Sequence, residues 1–214
     1  MKRDLRQALR LYLVTDRSLS MGRSEEEVVR AAAAGGITAV QLRGKDMTSR
    51  ELWKAGVTLR RLASREGLLF IVNDRLDVAM AVGADGVHLG QEDLPVAEAR
   101  RLAPHLIIGA TAGNEDEARE AEVAGADYLG TVAVFPTATK TYSEPPLGLG
   151  GLGRLCRATR LPVAAMGGVK AENARAVLDA GAAGIAVVSA IVSAPDPSEA
   201  ARRLKMEVEG VSRE

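Results

Sequence analysis

The sequence predicts an α/β protein, a single domain over residues 1–214 folded as a (β/α)8 barrel. Three observations lead there. Short apolar, β-branched runs occur eight times and alternate with segments rich in Ala, Glu and Arg. Those runs are apolar at nearly every position, the pattern of parallel strands covered on both faces. A cadence of helix end, glycine stop and strand start recurs in "AGGITAVQL", "VGADGVHLG", "AGADYLG" and "AGAAGIAVV". The competing architecture is a doubly wound open sheet. The count of eight and the lack of a Gly-x-Gly-x-x-Gly turn after the first strand favour the barrel.

Taken in order, the strands are predicted at "LYLVTD" (11–16), "AVQLR" (39–43), "LFIVND" (69–74) and "GVHLG" (86–90). Four more follow at "LIIGATA" (106–112), "DYLGTVAVF" (127–135), "PVAAMGG" (162–168) and "GIAVVSA" (184–190). Helical segments lie between them, including "SEEEVVRAAAAG", "SRELWKAGVTLRRLASREG", "NEDEAREAEVAG" and "AENARAVLDAG". Several open on Ser or Asn, whose side chains accept from the unpaired N–H groups of a first turn. They close on Gly, the usual left-handed helix stop. Trp53 falls on the second helix and is expected in the core; Cys156 is expected to pack in a helix away from the strand ends. "KTYSEPPLGLGGLG" (140–153) is the one long loop-like piece, expected to cover the active site.

Composition narrows the partners. Hydrophobic residues are 47%, charged residues 26% and the formal net charge is zero, so no nucleic-acid or membrane-surface partner is indicated. No apolar run reaches the roughly 18 residues of a membrane span, and no signal peptide is expected. The single cysteine, Cys156, excludes an internal disulfide and suits a reducing cytoplasm. The expected partners are small molecules, and a homo-oligomer is left open.

In such a barrel the active site lies at the C-terminal strand ends. Here those ends carry Gln41, Arg43 and Lys45 (strand two), Asn73 and Asp74 (strand three), Asp93 (beyond strand four) and Thr111 (strand five). Thr137, Thr139 and Lys140 follow strand six, Gly167 and Gly168 end strand seven, and Val188 and Ser189 end strand eight. In "QLRGKD" the alternation of Gln41, Arg43 and Lys45 aims all three to one side of an extended chain. Asp74 and Asp93 have few basic residues immediately beside them in sequence. They fit either Mg2+, which takes one or two carboxylates and fills its shell with substrate phosphate, or a pair of capping or salt-bridged aspartates. Arg43, Lys45 and Lys140 bring charge suited to phosphate. The glycine turn after strand seven and the "VVSA" after strand eight expose backbone N–H groups where these barrels often hold a phosphate. His88 lies inside an apolar strand and is expected to be structural, and His105 is in a loop. No Ser-His-Asp or Cys-His arrangement is evident. A cationic site without a nucleophile suits expulsion of a charged leaving group, with electrostatics carrying the rate.

"QLRGKD", "VND" (72–74), "HLGQED" (88–93), "FPTATK" (135–140), "MGG" and "VSA" stand in the order and spacing of the thiamine-phosphate synthase family, which the chain resembles from "LYLVTD" to its last helix. The resemblance implies a TIM-barrel transferase that joins a hydroxymethylpyrimidine diphosphate to a thiazole phosphate and releases pyrophosphate. It implies that Gln41, Arg43, Lys45 and Asn73 meet the pyrimidine diphosphate and that Asp74 and Asp93 hold Mg2+. Lys140 would support the departing pyrophosphate, and Thr111 stands where a serine hydroxyl is usual near the pyrimidine. Thr137, Thr139, Gly168 and the Val188–Ser189 backbone would touch the thiazole phosphate. Arg43, Lys45, Thr111 and Lys140 are thus the expected catalytic residues.

The chain departs from that pattern in places. "GTVA" (130–133) replaces the usual Gly-x-Gly-Pro, and "TAG" (111–113) replaces "SAH", so that Gly113 offers no imidazole. Two rivals are weighed. A related thiazole tautomerase should carry a histidine before the strand-six phenylalanine, where Ala133 stands here. A non-catalytic thiazole-phosphate binder would need neither Asp74, Asp93 nor Lys140.

Overall fold

Eight parallel strands close on themselves in sequence order: β1 (Leu11–Val14), β2 (Ala39–Leu42), β3 (Leu69–Asn73), β4 (Gly86–Leu89), β5 (Ile107–Ala112), β6 (Tyr128–Ala133), β7 (Val163–Met166) and β8 (Gly184–Val187). The computed structural model describes residues 4–137 and 145–210. β8 returns to β1, with Leu11 opposite Ile185. Every strand lies within a predicted run, and most end one to three residues earlier because the chain turns into the rim loops. The helices are α1 (Leu5–Ala8), α2 (Glu25–Gly35), α3 (Ser49–Glu66), α4 (Leu76–Val82), α5 (Val96–Leu102), α6 (Glu115–Val123), α7 (Gly148–Ala158), α8 (Ala171–Asp179), α9 (Ser189–Val192) and α10 (Pro197–Glu209).

Local chemistry sets the helix ends. Ser24 and Thr48 each close a capping box, with Glu27 and Glu51 at the third position. Thr48, one residue before the predicted Ser49, is the cap of α3. Asn114 accepts from the Asp116 and Glu117 N–H groups to start α6. Gly36 (φ 94°) stops α2 and Gly67 (φ 70°) stops α3 in the left-handed conformation.

Two apolar layers result from strand alternation. Tyr12, Val14, Ala39, Leu69, Ile71, Tyr128, Ala164 and Ala186 fill the barrel, whose N-terminal end is packed by Leu5, Ala8 and Leu9. Leu11, Leu13, Val40, Leu42, Phe70, Val72, Val87 and Leu89 face the helices. Both faces of the sheet are therefore buried, which explains the near-continuous apolar runs.

Two expectations are corrected. Trp53 is 45% exposed on the outer side of α3, so an aromatic on an amphipathic helix is not core here. The stretch 140–153 is not all loop. α7 begins at Gly148, because Leu152 and Leu155 bury their side chains against the barrel and make even a glycine-rich turn helical. Residues 140–144 lie outside the described residues. Cys156 sits on α7, half-buried against the outer layer. Among the described residues no helix is long and apolar enough to cross a membrane.

Close approach makes Gly184 a test of closure: a Cβ there would run into the backbone of Leu9 and Arg10. Gly184→Ala should cost about 3 kcal/mol in urea unfolding; a loss below about 0.5 kcal/mol would show that the N-terminal segment can retreat.

Candidate active site

Asp74 is the most constrained residue of the rim. It follows β3 with φ 62°, one of two non-glycine residues with positive φ among those described. Its N–H bonds the His88 carbonyl at 2.8 Å, so pairing with β4 holds the backbone in this unfavourable region. The turn delivers the carboxylate to the neighbouring Asp93, whose Oδ2 accepts from the Gly90 N–H at 2.7 Å. Partial burial, and then the Asp74 carboxyl beside it, push the Asp93 carboxyl above the usual range; the Gly90 N–H and Lys45 oppose the shift. The two carboxylates thus crowd one another at adjacent strand ends. Asp93 also shares a cleft of about 230 Å³ with Gly90, Gln91 and Thr111.

Lys45 sits beside this pair, its Nζ 2.7 Å from Asp74 Oδ2. Few basic residues stand beside the two carboxylates in sequence; the fold brings this one from the end of the preceding strand. At 55% exposure of the lysine, the bridge is worth about 0–1 kcal/mol, so the ammonium is free to transfer to a ligand anion. Arg43 behaves differently. It pairs with Asp16 at 2.6 Å with both side chains under one-fifth exposed, which anchors the guanidinium and leaves its other donors available. The expected common direction of Gln41, Arg43 and Lys45 is therefore corrected. β2 ends at Leu42, so strand alternation lapses beyond it. Arg43 turns toward the end of β1 and Lys45 toward the end of β3, while Gln41 points into the barrel and donates to the Tyr12 hydroxyl at 2.7 Å.

The other predicted residues are distributed around the same rim. Asn73 ends β3, half-buried and in register with His88. Thr111, on β5, places Oγ1 3.1 Å from His88 Nε2. Gly167 (φ 80°) and Gly168 (φ 67°) form the turn after β7, and a Cβ on Gly168 would lie 2.7 Å from both Phe135 Cβ and the Pro136 carbonyl. The segment leading to Thr137 is thereby laid across the glycine turn, with the Phe135 N–H on the Gly167 carbonyl at 3.1 Å. Val188 caps α9 and Ser189 opens it. Thr139 and Lys140 lie outside the described residues.

Sequence reasoning missed Asp16, although it closes the first strand run, and it read His88 as structural without its partners Tyr128 and Thr111. The departures also have local explanations. Gly130 leaves room for the His88 ring and the Met166 methyl, and Thr131 accepts the Met166 N–H at 2.9 Å. The Gly113 N–H binds Glu117 at 2.7 Å. Ala133 is buried against Gly167, with no group able to shuttle a proton.

The donor set suits a hard divalent cation. Asp74 and Asp93 offer carboxylate oxygens, and a cation between them would offset their mutual repulsion. Among the described residues no group of three or more His, Cys, Asp or Glu is arranged around a metal, so the rest of a shell would come from ligand and water.

Fold and rim define the class first: a TIM-barrel enzyme with its polar groups gathered at the C-terminal mouth. The chain belongs to the thiamine monophosphate synthase family, whose pattern matches residues 11–191. It is 50% identical over 196 residues to the thiamine-phosphate synthase of Moorella thermoacetica, covering 91% of this chain and 93% of that protein. It is 48% identical over 208 residues to the thiamine-phosphate synthase of Pyrococcus furiosus, covering 97% and 99%. The solved thiamine phosphate pyrophosphorylase from Pyrococcus furiosus superposes with a TM-score of 0.90 at 47% identity, covering 98% of this chain and all of that one. As a member of this family the chain is a transferase.

The strain at Asp74 gives a prediction with opposite signs. Asp74→Gly should raise stability by about 1 kcal/mol in urea unfolding, by relieving positive φ and the repulsion with Asp93, while removing a rim carboxylate. A drop in stability would show that the Lys45 bridge outweighs the strain.

Proposed function

We propose that the chain joins hydroxymethylpyrimidine diphosphate to a thiazole phosphate, giving thiamine phosphate and pyrophosphate in a cytoplasmic biosynthetic step. The observation that carries this reading is the crowding of Asp74 and Asp93 at neighbouring strand ends with the Lys45 ammonium beside them. Family membership supports it, as does the glycine turn on the same rim.

In this reading the bond between the pyrimidine methylene and the diphosphate oxygen breaks, and its electron pair leaves with pyrophosphate. The resulting pyrimidine cation is captured by the lone pair of the thiazole nitrogen, which forms the new C–N bond. No residue need act as nucleophile, and none among the described rim residues is poised for that role. Asp74 and Asp93 would hold Mg2+, which when bound would neutralise charge on the diphosphate. Lys45 exchanges Asp74 for a diphosphate oxygen at small cost, since its bridge is solvated. Arg43, fixed by Asp16, holds the other flank without having to be ordered on binding. Gln41, Asn73 and Thr111 would orient the pyrimidine ring. Thr137, Thr139, Gly168, Val188 and Ser189 would seat the thiazole phosphate, whose charge suits exposed backbone N–H groups. Lys140 would stabilise the leaving pyrophosphate. The tautomerase alternative lacks support, because Ala133 fills the place of its acid-base group.

Two measurements test this. The purified chain with both substrates and Mg2+ should release pyrophosphate, and Asp93→Ala should lower kcat by at least about a hundredfold; full turnover in the variant, or in metal-free buffer, overturns the assignment. Lys140→Ala should depress kcat more than it raises KM for the thiazole phosphate, because charge develops on the leaving group in the transition state. Equal effects would remove Lys140 from that role.

A further inference from the structure

Beneath the rim a file of polar groups crosses the barrel interior. Gln41 Nε2 donates to the Tyr12 hydroxyl at 2.7 Å, and that hydroxyl lies 3.1 Å from the hydroxyl of Tyr128. Tyr128 in turn meets His88 Nδ1 at 3.0 Å, and His88 Nε2 meets Thr111 Oγ1 at 3.1 Å. Tyr12 and Tyr128 are fully buried, and Gln41 and His88 are 2% and 4% exposed. The barrel keeps space for this file: a Cβ on Gly109 would overlap the Tyr128 phenol, and one on Gly130 would lie 2.8 Å from His88 Cε1. Only the two ends, Gln41 and Thr111, take part in the reaction described above.

The file has a direction. Burial pushes both phenols well above their ordinary range, so each keeps its one hydrogen. A buried hydroxyl hydrogen without an acceptor is costly. Tyr12 already receives the Gln41 N–H, so its own hydrogen goes to Tyr128. The Tyr128 hydrogen then goes to His88 Nδ1. His88 is thereby the neutral Nε2–H tautomer and donates to Thr111, whose hydroxyl hydrogen is left for the mouth. At the other end, Gln41 turns its carbonyl oxygen outward; no buried side-chain oxygen or nitrogen among the described residues lacks a partner, so that oxygen opens to solvent.

We propose that Tyr12, Tyr128 and His88 are positioning residues, a one-way hydrogen-bond chain that fixes Gln41 as an acceptor and Thr111 as a donor toward the pyrimidine ring. The pocket then takes a ring offering an amino N–H to Gln41 and a ring nitrogen to Thr111. It rejects the oxo counterpart, whose C=O and N–H present the reverse pattern. The same polarity denies His88 the part of a base: a hydroxyl that accepts from imidazole N–H is not deprotonated by it.

The discrimination rests on the proposed reaction; the polarity does not, and the two are tested separately. The chain has two histidines, of which His105 is exposed, so nitrogen NMR of the ligand-free protein reads His88 directly. The Nε2–H tautomer is expected, and the Nδ1–H tautomer overturns the proposal whatever the substrate. Tyr128→Phe keeps the ring and removes only the oxygen. It should leave His88 a mixture of tautomers and reduce the preference for the amino-pyrimidine diphosphate over its oxo analogue by at least about tenfold, mainly through KM. An unchanged tautomer or unchanged preference in the folded variant overturns it. Should that variant not fold, Tyr12→Phe reads the preference, which should fall because Gln41 loses the partner that orients its amide, while His88 keeps the Nε2–H tautomer because Tyr128 still donates to it; an unchanged preference or a changed tautomer overturns the proposal.

Discussion

The return of β8 to β1 is the contact on which the rest of the molecule depends. An open sheet would leave two unpaired edges and would spread its strand ends along a line. Closure leaves no strand at an open edge and brings the eight C-terminal ends to one mouth. Residues as far apart in sequence as Asp16 and Ser189 then share one rim. Asp74 and Asp93 illustrate the effect at short range, and Arg43 and Gly168 at long range.

Closure also creates an interior that must be filled. Aliphatic side chains from alternate strand positions do most of this, but two tyrosines and a histidine sit among them. A polar group there is tolerated only when every donor and acceptor is matched. The hydrogen-bond file from Gln41 to Thr111 is thus both the solution of a packing problem and a constraint on the mouth above it. Glycines at 109 and 130 are part of the same solution, since they give up side chains to make room for the rings.

Strain and charge are concentrated where the chain leaves the sheet. Asp74 accepts a left-handed backbone because pairing with β4 continues through its N–H. The Asp93 pKa is raised first by partial burial and then by the partner carboxylate held nearby. Lys45 bridges in an exposed pair and Arg43 in a largely buried one. Among the described residues the rim thus presents an anchored cation, an exchangeable cation and a crowded acidic pair, an arrangement suited to polyanionic ligands.

The fold was largely legible in the amino-acid order, because doubly buried strands and glycine-stopped helices leave strong local patterns. The strand ends were legible as well, since polar groups at the end of an apolar run are conspicuous. What the sequence by itself determined was the eightfold alternation and the chemical types at each strand end. Only the tertiary structure decided which of those groups face one another: that Arg43 turns to Asp16, that Lys45 turns to Asp74, that Trp53 stays outside and that His88 joins Tyr128 and Thr111. Local patterns record burial and backbone preference, whereas pairings across the barrel depend on closure and on the register between strands, and no single segment encodes those.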